Sequence, residues 1–208
     1  MTDEQYVDGL YGEDQDLVRT KKGIADRGMP DISIADGYGR LLTMLAKMNG
    51  AKKALEIGAL GGYSGICIAR GLADGGLLTS LELKAEYAEA AKVHMTEAGL
   101  GDAVEYIIGD ARESLVKLQE EGRTFDFFFI DADKEGYPVY LEHAIALSNP
   151  GAVIIGDNIL LRGRTTDSAK EGPSVKAVRS FNQQIASDER LMSTVLPGYD
   201  GLAIAIVK

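Results

Sequence analysis

The chain has no tryptophan, one cysteine, two histidines and no basic excess among its 208 residues. The lone Cys67 can close no internal disulfide, which fits a reducing compartment, and its neighbours Ile66, Ile68 and Ala69 make it a small core residue. Lysine and arginine number 22 against 32 aspartates and glutamates, for a net charge of −10 and a pI near 4.7. Nucleic-acid binding needs a basic face, so this balance argues against it. No apolar run reaches the length of a membrane span, and the opening MTDEQYVDGLYGEDQ lacks the basic-then-apolar order of a signal peptide. The expectation is a cytoplasmic protein with neither a membrane nor a nucleic-acid partner. His94 and His143 fall in predicted helices with no second histidine or cysteine at ligand spacing, so both read as structural or solvent-facing. No histidine or acid pattern surrounds Ser64, which sets a hydrolase aside.

What the chain does have is 45% hydrophobic residues, enough for one α/β domain over residues 1–208 with its own core. After an acidic, helical arm over 1–35, residues Asp36–Met48 put Leu41, Leu42, Leu45 and Met48 at helical spacing. Strand and helix then alternate. Strands are predicted over Lys53–Ile57, Leu77–Leu83, Val104–Ile108, Phe125–Ile130 and Ala152–Gly156. Helices over Tyr63–Gly71, Ala85–Ala98, Arg112–Glu121 and Tyr137–Leu147 separate them. Pro138 suits a first helical turn. The polar stretch Leu161–Ser174 reads as a loop, and Val175–Ser187 as a helix. Leu191–Leu196 and Leu202–Val207 then form two closely spaced strands. The pattern is a doubly wound, Rossmann-like α/β fold with a mostly parallel seven-stranded sheet that ends in an antiparallel hairpin. The acidic runs near the N-terminus and in Leu81–Glu97 read as solvated faces.

Two clusters sit at the ends of apolar runs that read as buried parallel strands. Asp131-Ala132-Asp133-Lys134 follows Phe125–Ile130, and Asp157-Asn158 follows Ala152–Gly156. The crevice past the carboxyl ends of such strands is where ligands bind, and oxygen donors delivered there can hold a hard divalent cation. Lys134 lies one short loop away, in reach of the same place as a base. Successive strand residues point to opposite faces, so Asp157 and Asn158 converge on one ion only if the backbone has left the strand. Alone, Asp157-Asn158 is equally a polar turn, and Lys134 a surface lysine.

The first strand–turn–helix carries Glu56-Ile57-Gly58-Ala59-Leu60-Gly61-Gly62-Tyr63-Ser64, with Glu82 at the end of the next strand. Glycines permit a tight turn and close backbone approach to a ligand, and a carboxylate about twenty residues on can take ribose hydroxyls. A pyrophosphate-binding turn needs G-x-G-x-x-G, yet Leu60 stands where the second glycine would be. An acid two before the first glycine suits a cationic ligand, which points to S-adenosylmethionine (SAM). Gly109-Asp110-Ala111 is placed to close over the adenine. These glycines are also compatible with close helix–strand packing alone.

Taken together, these segments resemble the cation-dependent O-methyltransferases, the caffeoyl-CoA and catechol O-methyltransferase relatives, and the bacterial members above all. The resemblance runs from about Ile32 to the C-terminus, including the closing Leu196-Pro197 and Asp200-Gly201-Leu202. It implies transfer of a methyl group from SAM to one hydroxyl of a vicinal dihydroxy aromatic acceptor such as a caffeoyl ester, flavonoid or small catechol. It implies that Asp131, Asp157 and Asn158 bind a divalent cation, magnesium foremost, with manganese or calcium as alternatives. Lys134 would be the general base or the charge that steadies the phenolate, and Asp131 would join both the catalytic and the cofactor sets. Glu82 would hold the ribose, Glu56, Gly58 and Ser64 would surround the methionine part, and Asp110 and Ala111 would lie near the adenine. Asp133 would support the site, and Ile32 and Ile34 would cover SAM. A homodimer is also implied, with the arm contributing to a lid or a shared surface.

Two departures bear on the acceptor. Leu160-Leu161-Arg162-Gly163-Arg164 stands where plant members carry a tryptophan, and Tyr199 stands where a smaller residue is common. A CoA ester would need a local basic patch, for which Arg162, Arg164, Arg190, Lys21 and Lys22 are the candidates. An NAD(P)-dependent oxidoreductase and a non-catalytic SAM-binding protein remain as rival readings.

Overall fold

A computed structural model describes residues 1–208. Strands β1 (Lys53–Ile57), β2 (Leu77–Glu82), β3 (Val104–Ile108), β4 (Phe125–Ile130), β5 (Ser148–Asp157), β6 (Leu191–Leu196) and β7 (Leu202–Val207) form one sheet in the order β3-β2-β1-β4-β5-β7-β6. The first five are parallel, and β7 lies antiparallel between β5 and β6. The helices are α1 (Asp3–Asp8), α2 (Gln15–Asp26), α3 (Asp36–Asn49), α4 (Tyr63–Gly71), α5 (Ala85–Glu97), α6 (Ala111–Glu120), α7 (Tyr137–Ala146) and α8 (Pro173–Ser187).

Strand alternation sorts the core into two layers. Phe128, Ile130, Ile57 and Ile154 pack under α6, α7 and α8. Phe127, Phe129, Ala54 and Ile155 pack under α3 and α4. Phe125 breaks the alternation and joins the Phe128 layer, because the β4–β5 register shifts between Phe125 and Phe127. Cys67 is buried in the α3–α4 layer, as its apolar setting predicts. No helix is long and apolar enough to cross a membrane.

The predicted elements form with small shifts. β5 begins at Ser148 rather than Ala152, since Ser148 pairs with Phe125 across the register shift. α8 begins at Pro173, whose missing N–H is no loss in a first turn. Met48 does not face the core: it is 78% exposed, two residues past Ala46, the last buried position of its helix, and therefore on the opposite face.

The acidic arm is more than a solvated face. Asp14 caps α2 by accepting the N–H groups of Asp16 and Leu17, and it also takes Arg70 at 2.5 Å. Asp16 takes the other end of the same guanidinium at 2.5 Å. Asp8 takes Arg40 at 2.5 Å and the Tyr199 hydroxyl at 3.0 Å. These pairs tie α1 and α2 to α3, α4 and the β6–β7 turn, which local sequence periodicity cannot report.

Candidate active site

The direction of the crossovers reverses between β1 and β4, and a doubly wound sheet opens a crevice at that point. A cleft of about 660 Å³ lies there, within the usual range for small-molecule sites. Its floor is made where β1 meets β4. Gly58 has φ +99° and faces the Asp131 carbonyl so closely that a Cβ would collide with it. Only glycine supplies that conformation and that approach.

The turn after β1 is held from several sides. Gly62 takes φ +86° and packs against Ala91 of α5. Leu60, a branched residue, sits at φ +46°, a strained setting that persists only when its surroundings over-determine it. Glu82 supplies one of those constraints. Its Oε2 accepts the N–H groups of Ala59 (3.1 Å) and Leu60 (2.9 Å), and its Oε1 accepts that of Lys84 (3.0 Å). A carboxylate offers about four lone-pair sites, so one remains for a ligand. Glu82 lines the cleft, but most of its acceptor capacity is spent on the turn itself.

Glu56 is not on the cleft wall. It lies behind Ser64, 1% exposed, accepting the hydroxyls of Ser64 (2.5 Å) and Ser80 (2.6 Å). Burial pushes its carboxyl up to about 7, against the pull of those two hydroxyls. Any hold on the methionine part of a cofactor passes through Ser64, which does line the cleft. Asp110 and Ala111 border it too, with the Asp110 carboxylate capping α6 through Arg112 N–H at 2.7 Å. Ile32 and Ile34 line the cleft as well.

At the mouth, Lys134 sits on a short 3-10 turn and lays its ammonium among three oxygens. It donates to Asp131 Oδ1 at 2.8 Å, to Asn158 Oδ1 at 3.1 Å and to the Tyr137 hydroxyl at 2.5 Å. All three ammonium protons are thereby used. Tyr137, fully buried, donates its hydroxyl hydrogen bond to the Asp157 carbonyl at 2.8 Å. Sequence reading missed this tyrosine, although its place three residues after Lys134 on one helical turn is the signal that finds it.

β5 ends at Asp157, and Asn158 takes φ +55°. The backbone has left the strand, which is the condition for the two side chains to serve one site. Asp157 is 2% exposed and accepts Asn158 N–H at 2.7 Å. Burial first, and then the negative charge of Asp131, push its carboxyl up to about 7. Asp131, Asp157 and Asn158 make an oxygen-only set, which fits a hard cation. The set contains only two carboxylates, and nowhere do three acidic, histidine or cysteine side chains gather at ligand spacing. Lys134 bridges Asp131 and Asn158 in this arrangement, so a dication shared by both would displace it by charge repulsion. Asp133 lines the same cleft but is engaged with other partners: it caps the Lys134 turn through Gly136 N–H, and accepts Arg112 at 2.9 Å and the Tyr140 hydroxyl.

Arg162 and Arg164 line the mouth. The other candidates for a basic patch are engaged elsewhere: Lys21 with Asp36, Lys22 with Asp26, and Arg190 with Glu142 and Asp188. Tyr199 is not on the cleft. Its N–H and hydroxyl are turned to Glu4 and Asp8 of α1, while Asp200 beside it does line the wall.

The sequence profile described as O-methyltransferase matches residues 11–208. The chain belongs to the O-methyltransferase family. It is 38% identical to a catechol O-methyltransferase of Niastella koreensis, over 99% of this chain and 96% of that one. Among solved structures, an O-methyltransferase from Bacillus cereus in complex with SAH superposes with a TM-score of 0.92, at 40% identity over 99% and 96% of the two chains. The O-methyltransferase TomG of Streptomyces achromogenes, involved in tomaymycin synthesis and in complex with SAM, gives 0.91, at 34% identity over the whole of both chains. This O-methyltransferase is thus an enzyme, and the dinucleotide oxidoreductase reading falls away.

Proposed function

We propose that this O-methyltransferase moves a methyl group from SAM to one hydroxyl of a vicinal dihydroxy aromatic acceptor, with a divalent cation held by Asp131, Asp157 and Asn158. The observation that carries the reading is the convergence of Lys134, Asp131 and Asn158 at the mouth of a cleft that runs back to the glycine turn. The SAM- and SAH-bound neighbours and the catechol-methylating relative support it.

The reaction breaks the sulfonium S–CH3 bond and forms an O–CH3 bond, leaving a neutral thioether and releasing the hydroxyl proton. A phenol with a pKa of about 10 is mostly un-ionised at neutral pH and a poor nucleophile. A bound dication supplies stabilisation of the oxyanion. Lys134 receives the hydroxyl proton once it has left Asp131 and Asn158 and shed a proton of its own, and Tyr137 keeps the freed amine within reach of the acceptor. Ser64, Gly58 and Glu82 hold the methionine and ribose parts of SAM, while Asp110 and Ala111 border the adenine. Arg162 and Arg164 are the positive charges left to meet an anionic group on the acceptor.

The test is methyl transfer to a panel of catechols and isolated phenols, read by mass spectrometry as a single added methyl. Vicinal diols should react and isolated phenols should not, EDTA should abolish the product, and magnesium should restore it. Full turnover in metal-free buffer overturns the cation, and no product from any vicinal diol overturns the acceptor class.

A further inference from the structure

His94 of α5 is 3% exposed and belongs to none of the chemistry above, yet both of its ring nitrogens are engaged. Nδ1 lies 2.8 Å from the Gly61 carbonyl in the cofactor turn, and Nε2 lies 3.3 Å from Arg27 Nη1 at the end of α2. A carbonyl only accepts and a guanidinium only donates. Both contacts are satisfied in one way alone, with the ring proton on Nδ1 and the Nε2 lone pair facing Arg27.

The surrounding backbone is cut to this contact. A Cβ on Gly23 of α2 would collide with the His94 ring, and a Cβ on Gly61 would collide with Ile24 of α2. Helix α2, His94 and the turn therefore stack with no room between them. Arg27 also anchors on its own helix, donating to the Gly23 carbonyl at 2.9 Å. Four residues past Arg27 the chain enters the cleft wall at Asp31, Ile32 and Ile34.

The turn needs such support. Leu60 is held at positive φ, with Glu82 fixing the N–H side of Ala59 and Leu60. His94 fixes the carbonyl side one residue on. We propose that His94 is a positioning residue for the SAM-binding turn, clamping Gly61 on one side and the arm on the other, so that α2 is a working part of the cofactor site. The inference rests on the reading of the cleft as a SAM site.

The test compares wild type with His94→Ala, His94→Asn and Arg27→Met. SAM affinity is measured by calorimetry, KM and kcat with a catechol, and the ligand-free thermal midpoint by circular dichroism. Asparagine can place its amide N–H where Nδ1–H stood, keeping the Gly61 half of the clamp. His94→Ala should raise the dissociation constant and KM for SAM about tenfold, with kcat at saturating SAM within about twofold of wild type. His94→Asn should recover most of that loss, and Arg27→Met should weaken SAM about threefold. A folded His94→Ala with wild-type SAM affinity overturns the proposal, even if its thermal midpoint falls. If His94→Ala does not fold, wild-type affinity in both His94→Asn and Arg27→Met overturns it equally, since Arg27→Met must show the arm's share. A wild type that binds no SAM overturns the cofactor reading instead, and this inference with it.

Discussion

An ammonium with all three protons engaged is a counter-ion first and a base only after it is freed. Lys134 is in that state between Asp131, Asn158 and Tyr137. If it then takes the acceptor proton, Lys134→Ala should reduce turnover about 10²–10⁴-fold, the usual range for loss of a general base. Part of the rate should return as pH rises, and a nitro-substituted catechol, already ionised, should suffer least. Equal losses for acidic and ordinary catechols at every pH would mean that the lysine is not the base. Glu56 yields a second residue-scale expectation. Its carboxyl sits at about 7 when folded, against an ordinary value of 4.5. A raised carboxyl favours the folded state below the unfolded value, and that benefit is lost as pH rises through the folded value. Glu56→Gln should match wild type in thermal midpoint near pH 5 and exceed it near pH 8. A wild-type midpoint that does not fall across this window more than the variant's removes the assignment.

Among the elements, the turn after β1 and the end of β5 carry the site, and they differ in how far they can be read from sequence. The turn is legible as a glycine cluster between an apolar strand and a helix, because glycine is needed wherever φ is positive or backbones touch. Its clamps are not: Glu82 and His94 reach it from β2 and α5, and nothing local to either residue announces a partner in the turn. The same holds for Ser80, a mid-strand serine whose purpose is visible only once Glu56 lies beside it. At the end of β5 the acid–amide pair is legible, whereas the positive φ of Asn158 that lets it work is a tertiary outcome. The loop is pinned by Leu160 N–H to the Asp200 carbonyl at 2.9 Å and by Ile159 N–H to that of Gly201 at 3.3 Å. For the turn, Glu82→Ala frees three backbone donors as well as any ribose hydroxyl. It should raise the SAM dissociation constant roughly tenfold or more and lower the ligand-free thermal midpoint. Unchanged affinity by calorimetry would place the cofactor elsewhere.

For the whole molecule, the fold class, the alternation of strands and helices and the closing hairpin followed from periodicity, while the order of the strands in the sheet and the docking of the arm did not. That docking leaves apolar side chains outward. Leu10 and Tyr11 are 63% and 56% exposed, and Met44 and Met48 are 57% and 78% exposed. Arg40, lying 4.1 Å over the Tyr11 ring, joins the two groups, with Met44 and Met48 one and two turns further along α3. Grouped exposure of this kind marks contact surfaces, in line with the homodimer that the family resemblance implies. Sedimentation should give a dimer at micromolar concentration, and Met44→Asp with Met48→Asp should shift it to monomer. A wild-type monomer rules the dimer out.

The placement of β7 between β5 and β6 has a consequence for biosynthesis. As the polypeptide emerges, β5 is complete long before β7 exists, and β6 has nothing to pair with until β7 follows it. Throughout that interval the free edge of β5 shows Val153, Ile154 and Ile155, and the Asn158 loop lacks its anchors at Asp200 and Gly201. The nascent chain therefore holds a nearly finished sheet with an unguarded edge and an unassembled active site, the state in which chaperone capture and edge-to-edge aggregation compete with folding. Insertion of the β6–β7 hairpin covers the edge of β5 and supplies the loop's anchors in the same step.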